Sequence, residues 1–189
     1  LAIDRKFRPL DQKPASLDVR REGVTAFVTI MEGCDKRCTY CIVPTTRGVE
    51  ISRPAHEIVE ETQRLVDDGV TEVTLLGQTI NAWGRDLGRD KTFARLLREL
   101  HEIPALRRLA FITSHPNFLS EELIVAIAEL PKVARYLHLP VQSGSDRVLA
   151  LMKRGYTALE FKDRIRRLRA VRPDIAVSSD FIVGFPGET

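Results

Sequence analysis

Residues 24–41 read VTAFVTIMEGCDKRCTYC, and the fold follows from how this stretch begins and ends. Val24 to Met31 is an apolar, β-branched run of strand type, stopped by Gly33. Directly after it come Cys34, Cys38 and Cys41, the three cysteines of the chain, all within eight residues. An odd number cannot pair off internally, and crowding on one loop points to metal or redox chemistry rather than to a disulfide framework. Beyond the loop, Ser52-Arg53-Pro54 is a helix-start signal, and Ile58, Val59, Thr62, Leu65 and Val66 share one helical face before Gly69 ends it. Strand, loop and helix in that order make one β-loop-α unit.

The unit repeats along the chain. A strand at Glu72–Leu76 precedes a helix around Phe93, Leu96, Leu97 and Leu100; a strand at Arg108–Ile112 precedes a helix through Leu123, Ile124, Ile127 and Ala128 that ends by Pro131. A fourth strand, Tyr136–Val141, leads to a short helix around Val148 and Met152 and a longer one around Phe161, Ile165 and Leu168; Ile175–Val183 reads as the fifth strand. Strands separated by helices pair in parallel through right-handed crossovers, so the class is α/β. Each strand runs into polar, Gly-bearing or Pro-bearing residues, among them Gly77-Gln78-Thr79, Thr113-Ser114-His115-Pro116, Gln142-Ser143-Gly144-Ser145 and Gly184-Phe185-Pro186-Gly187. In a parallel (β/α) barrel of TIM type all these ends meet on one rim around one site. About five strands cannot close such a barrel, so a partial barrel is expected, truncated at its C-terminal end. Residues 1–23 show no sustained periodicity and read as a linker or tail from a missing N-terminal domain, with the core over residues 24–189.

At 189 residues, 43% hydrophobic and 29% charged, the chain has material for one core and is no disordered segment. No apolar stretch approaches the roughly 20 residues that span a bilayer, and Leu1 to Arg21 is too polar for a signal peptide, so a cytoplasmic chain with no membrane partner is expected. A formal charge of +3 permits nucleic acid without demanding it.

Three thiolates at Cys-x-x-x-Cys-x-x-Cys spacing suffice for three irons of a cubane cluster and leave the fourth iron without a protein ligand. Zinc, or three incidental thiols, is the bland alternative; a structural zinc asks for a fourth ligand, and His56, His101, His115 and His138 are not at zinc-finger spacing from the triplet. With Tyr40 before the third cysteine, the triplet resembles that of the radical S-adenosylmethionine (SAM) enzymes. The resemblance implies a partial or full (β/α) barrel and a [4Fe-4S] cluster. It also implies that SAM is chelated by the open iron and cleaved by one electron to a 5′-deoxyadenosyl radical.

Met31-Glu32-Gly33-Cys34, Thr46-Arg47-Gly48, Ser52-Arg53-Pro54, Gly77-Gln78-Thr79-Ile80-Asn81-Ala82-Trp83, Thr113-Ser114-His115-Pro116, His138 to Ser145 and Asp180 to Glu188 together resemble the methylthiotransferases among them. The stretch from Gly77 to Trp83 is most similar to the branch that puts a methylthio group on C2 of isopentenyl-adenosine beside the anticodon of tRNA. The branch acting on an aspartate of ribosomal protein S12 is the alternative within the family, and a non-catalytic metal or RNA-binding module the alternative outside it. The resemblance implies tRNA as partner of the full-length protein and a reductant such as flavodoxin or ferredoxin. It also implies a second cluster on an N-terminal domain and a small RNA-binding β domain, neither in these residues.

Cys34, Cys38 and Cys41 are thus the expected cluster ligands. Tyr40, Gln78, Asn81, Ser114, Gln142, Ser143, Asp180 and Gly184 are the candidate SAM contacts, most of them because strand ends face the mouth of a barrel. For Gln78 and Asn81 a polar turn cap is an equal reading, for Gly184 a tight turn, and for Ser114 and His115 a turn cap beside Pro116. His138, inside an apolar strand, reads as a satisfied barrel-interior histidine, Trp83 as loop packing. The run Lys162, Arg164, Arg166, Arg167, Arg169 and Arg172 reads as a solvated helix face.

Overall fold

The computed structural model describes residues 21–188. β1 (Arg21–Glu22) turns at Gly23, whose φ of +61° suits glycine, and pairs antiparallel with β2 (Thr25–Thr29). The linker expected over residues 1–23 otherwise lies outside the described residues, and its last two members before Gly23 belong to the sheet edge instead.

The strand expected from Val24 to Met31 is two strands. Ile30 donates to the Leu76 carbonyl at 2.9 Å but accepts from the Arg53 amide at 2.8 Å, so the chain leaves the main sheet there. It continues as β3 (Met31–Glu32), antiparallel to β4 (Ile51–Ser52), with the cysteine loop and the short α1 (Val43–Thr46) held between them. Uniform burial of Ile30 and Met31 hides the break from a reading of apolarity.

α2 (Ala55–Asp67) starts after Pro54 and closes on Gly69, whose amide reaches the Val66 carbonyl while that of Val70 reaches Leu65, the doubly bonded C-terminal turn that glycine favours. β5 (Glu72–Leu76) lies parallel to β2, with Thr25 opposite Glu72, and β6 (Arg108–Phe111) parallel to β5, with Glu72 opposite Arg108. α3 (Phe93–His101) and α4 (Glu121–Glu129) are capped by the Thr92 and Ser120 hydroxyls. The next parallel step is a single bridge from Leu109 to Val133, followed by β7 (Tyr136–His138). α5 (Asp146–Leu151) and α6 (Ala158–Val171) lead to β8 (Ala176–Ser178), parallel to β7. The order β2-β5-β6-β7-β8 is the expected partial barrel.

The fourth and fifth strands are shorter than the apolar runs that announced them. Pro140 has no N–H to give the ladder, and the Val141 amide donates to the Ser179 hydroxyl at 2.9 Å, so regular pairing stops after His138 and returns only as a bridge between Gln142 and Phe181. Alternate residues Ala26, Val28, Val73, Leu75, Leu109, Phe111 and Leu137 pack with Ile58, Leu65, Leu97, Leu100, Ile124 and Ile127 of the helices into one core. Phe27, Ile112 and Tyr136, at the other parity, remain exposed. Arg172 is not part of a solvated face as expected: it is buried and donates to the Ile127 and Ala128 carbonyls at the end of α4. Among the described residues no helix is long and apolar enough to cross a membrane.

Candidate functional site

The cysteine loop is an excursion closed by the β3–β4 stem. Gly33 sits at φ +74°, and a Cβ there would fall 1.9 Å from the Val49 carbonyl oxygen, so the two limbs of the loop touch backbone to backbone. The Cys34 amide completes that contact on the Gly48 carbonyl at 3.2 Å, and Asp35 Oδ1 accepts from the Glu50 amide at 3.1 Å. Under the stem lies Arg53, fully buried, with one guanidinium nitrogen 2.6 Å from both the Thr29 carbonyl and the buried Glu61 carboxylate. The Trp83 indole donates to the Arg53 carbonyl at 3.0 Å, so the tryptophan packs the loop, as expected. Removing one partner of such a buried pair costs about 3–5 kcal/mol, which makes Arg53 the strut that fixes the loop to α2.

Each buried sulfur meets a residue from elsewhere in the chain. Thr79, just past β5, places its hydroxyl 3.2 Å from Cys34 Sγ, and Arg154, after α5, places a guanidinium nitrogen 3.6 Å from Cys38 Sγ. The middle of the loop is tied to the end of α5, where Thr39 donates through its amide to Met152 and through its hydroxyl to Leu151. Arg154 also donates to the Pro140 carbonyl at 2.9 Å and to Tyr156 Oη at 3.0 Å. A buried cation of fixed geometry therefore stands between the cysteine loop and the strand ends.

All three cysteines line two hollows. One, of about 490 Å³, lies within the loop beside Asp35 and Gly48; the other, of about 210 Å³, opens at the strand ends. Of the candidate contacts, Tyr40, Gln78, Ser114, Gln142 and Asp180 line the second cavity. Asn81, Ser143 and Gly184 do not. Asn81 spends its side-chain amide on the backbone of His115, accepting from its N–H at 2.8 Å and donating to its carbonyl at 2.9 Å. Ser143 accepts from the Ser145 amide at the start of α5, and a Cβ on Gly184 would meet open space, so no close approach explains that glycine. The cavity also holds His115, weighed beside Ser114 as a strand-end residue, and Thr79, His138 and Arg154, which the strand-end rule did not select. His138 is satisfied as expected, by Ser178 Oγ at 2.8 Å and Asp180 Oδ2 at 3.2 Å, yet it faces the cavity.

Two strand ends facing the cavity are strained: Thr113 and Gln142 have φ of +64° and +74°, a region that costs a non-glycine residue about 1–3 kcal/mol. Burial pushes the Tyr40 phenol up to about 12, against the opposing pull of Arg154. Burial, helped by Arg154, Lys36 and Arg164, brings His115 down to about 3, so its ring is neutral. Three buried polar atoms on residues lining the cavity have no hydrogen-bond partner among the described residues: Gln78 Oε1, Ser114 Oγ and His115 Nε2. Buried polar atoms are normally satisfied, and three around one hollow describe a place for a polar ligand. Among the described residues no three His, Cys, Asp or Glu side chains converge on a single ion. A cubane cluster asks for no such convergence, because each thiolate binds a different iron, so three thiols on one loop fit it.

Residues 28–189 match the radical SAM superfamily. The chain is 58% identical over 190 residues to the tRNA-2-methylthio-N(6)-dimethylallyladenosine synthase of Bordetella avium (strain 197N), an alignment covering 99% of this chain and 40% of that protein. The protein of the same name from Aromatoleum aromaticum (strain DSM 19018 / LMG 30748 / EbN1) is 53% identical over 191 residues, covering 99% and 43%. The chain thus spans about two fifths of the length of these curated relatives. Among solved structures, the radical S-adenosylmethionine methyltransferase TsrM from Kitasatospora setae, with tryptophan substrate and a SAM analog bound, matches with a TM-score of 0.71 at 23% identity, over 92% of this chain and 33% of that one. The cobalamin-dependent S-adenosylmethionine radical enzyme OxsB, with aqua-cobalamin and S-adenosylmethionine bound, matches with 0.64 at 16% identity, over 82% and 23%. At such identities the likeness is one of fold.

Proposed function

The chain belongs to the radical SAM superfamily, and on that premise we propose that it is the SAM-cleaving part of a methylthiotransferase acting on C2 of isopentenyl-adenosine beside the anticodon of tRNA. One observation carries the reading of the site: three cysteines of one loop share a cavity with three unpartnered buried polar atoms. The substrate is taken from the name of the relatives that match 99% of the chain.

Cys34, Cys38 and Cys41 would each hold one iron of a [4Fe-4S] cluster, leaving an open iron for the amino and carboxylate groups of SAM. Bound together, cluster and SAM supply a 5′-deoxyadenosyl radical by one-electron cleavage. The chain's own residues do the positioning. With Cys34 ionised, the Thr79 hydroxyl must be the donor of their hydrogen bond and fixes that sulfur. Arg154 is the buried cation of the cavity and complements both the Cys38 thiolate and a ligand carboxylate. Gln78 Oε1 accepts and Ser114 Oγ donates or accepts, as an amino group and a sugar hydroxyl require. Gln142 and Asp180 face the same hollow with further acceptors, and Tyr40 supplies an apolar wall.

A second cluster, as the source of sulfur, is proposed for the full-length protein. The electron would come from a flavodoxin- or ferredoxin-type protein, and the setting would be the cytoplasm, where tRNA is.

Anaerobic reconstitution of the chain with iron and sulfide, followed by SAM and dithionite, should release 5′-deoxyadenosine. Iron and tRNA binding without that product would point to a non-catalytic module. Full-length protein should place the methylthio group on tRNA adenosine; methylthio-aspartate in ribosomal protein S12 instead would move the chain to the other branch.

A further inference from the structure

We propose that His115 is a fixed, neutral hydrogen-bond donor for a ring nitrogen of adenine in the cysteine cavity. The inference rests on the SAM-cleaving reading above and adds to it the residue that reads the base.

The tautomer is set by the backbone. The Asn117 amide donates to His115 Nδ1 at 3.2 Å, so Nδ1 carries the lone pair and the ring proton sits on Nε2. The ring cannot easily turn away from this arrangement. Asn81 grips the His115 N–H and carbonyl at 2.8 and 2.9 Å, and the imidazole is wedged against Tyr156 at 5.9 Å, edge to face, and against Phe118 at 5.7 Å. Only 6% of the residue is exposed, and its Nε2 has no partner among the described residues, although the residue lines the cavity. A buried N–H left unpaired is costly, and a protein keeps one where a ligand will accept it.

The surroundings select the acceptor. Burial first, and then the positive charge of Arg154, Lys36 and Arg164, suppresses protonation of the ring, and a carboxylate entering the cavity would go to the Arg154 guanidinium rather than to a neutral donor. An uncharged acceptor on a flat ring is what remains for a neutral N–H set between two aromatic side chains. Adenine offers such nitrogens. Both ligands of the proposed reaction carry it: SAM in its nucleoside, and the RNA at its target base.

The test uses the reconstituted chain with its histidine rings labelled with nitrogen-15, and three probes: SAM, 5′-deoxyadenosine and an anticodon stem-loop RNA bearing isopentenyl-adenosine. In the free protein His115 should show the Nε2–H tautomer, and its Nε2 signal should move on titration with the probe that supplies the acceptor. His115→Phe keeps the ring and removes the donor; by equilibrium dialysis it should weaken that probe about three- to tenfold, the worth of one hydrogen bond. His115→Gln, which keeps an N–H donor, should restore affinity to within about twofold. A loss with SAM and 5′-deoxyadenosine assigns the donor to the base of SAM, and a loss with the stem-loop alone assigns it to the target base. An Nδ1–H tautomer, or a folded His115→Phe chain that binds all three probes as tightly as the parent, overturns the proposal. If that occurs while the parent still forms 5′-deoxyadenosine, the SAM-cleaving reading stands; a parent chain that binds none of the probes defeats both.

Discussion

Acidification should remove stability from this chain through one imidazole. His115 has its pKa lowered from 6.5 to about 3, first by burial and then by Arg154, Lys36 and Arg164. The unfolded chain takes up a proton at this ring as pH falls through about 6.5, whereas the folded chain does so only near 3, so the unfolded state binds more protons over that window and stability falls with pH. At about 1.36 kcal/mol per pH unit, the drop from 6.5 to about 3 corresponds to about 5 kcal/mol over the full window, and to about 2–3 kcal/mol by pH 4.5. Burial to 6% exposure leaves little solvent screening to diminish it. The comparison to make is between the parent chain and His115→Phe, by urea unfolding followed by circular dichroism at steps from about pH 7 to about pH 4.5. His115→Phe loses the acceptor for the Asn117 amide and should start about 1 kcal/mol lower at neutral pH. It should then lose about 2–3 kcal/mol less than the parent on acidification. Carboxylates with their own shifts, such as Glu50, whose pKa is raised by burial and by Asp35, titrate in both proteins and cancel in the difference. Parallel pH curves would refute the reasoning, because they would mean that His115 protonates in place without cost and that the three cations do not face it.

Replacing any one of Cys34, Cys38 or Cys41 by Ala should abolish both iron loading and 5′-deoxyadenosine formation, because all three thiolates are needed for a cubane with one open iron; a variant with parental iron content and visible absorption would contradict this. Gly33→Ala places a Cβ on the Val49 carbonyl at a positive φ and should cost at least about 2 kcal/mol, read as a lower thermal midpoint, with the iron bound per chain falling as the loop opens. Arg154→Met removes donors from Pro140, Tyr156 and Cys38 together and should cost about 2–4 kcal/mol in urea unfolding while raising the KM for SAM; Arg154→Lys, a point charge that cannot bridge three partners, should recover part of the KM and little of the stability.

The alternation of strands and helices was legible because it rests on local signals. Apolar periodicity marks β5 and α3, and Ser52-Arg53-Pro54 and Gly69 bracket α2. What escaped was decided by distant partners. Ile30 turns out of the sheet because the Arg53 amide lies opposite, and β7 stops early because of what the Pro140 nitrogen lacks, a sign present in the sequence but outweighed by the apolar run around it. The site divides the same way. Spacing alone marks the cysteines, and the rule that strand ends face the mouth finds Gln78, Ser114, Gln142 and Asp180. That rule has no knowledge of where a side chain points, so it also chose Asn81, which turns inward to hold His115. Arg154 escaped because it follows a helix and reads as an ordinary basic residue at a C-terminus. Its entry into the cavity depends on the turn around it, where Lys153 and Gly155 both have positive φ. The helix-ending Lys153-Arg154-Gly155 was the available signal.

Strain and unpaired polarity fall together on one rim. Thr113, a β-branched residue held at positive φ, adjoins Ser114 and His115, whose Oγ and Nε2 have no partner among the described residues, and Gln142, also at positive φ, lines the same cavity. Each such feature costs about 1–3 kcal/mol in the free protein. A backbone with a choice would relax Thr113 and turn Ser114 to water. It is prevented by Asn81, which locks the His115 backbone, and by the Thr113 hydroxyl, which donates to the Gly77 carbonyl and ties this strand end to its neighbour. Asn81, which lies outside the cavity lining, therefore holds a candidate binding residue in place, and Asn81→Ala should release His115 without touching a ligand. The expected result is a parental iron content, a mixed tautomer at His115 and weaker binding of the adenine probe. A single Nε2–H tautomer and unchanged affinity in Asn81→Ala would show that the rim keeps its shape without the clamp.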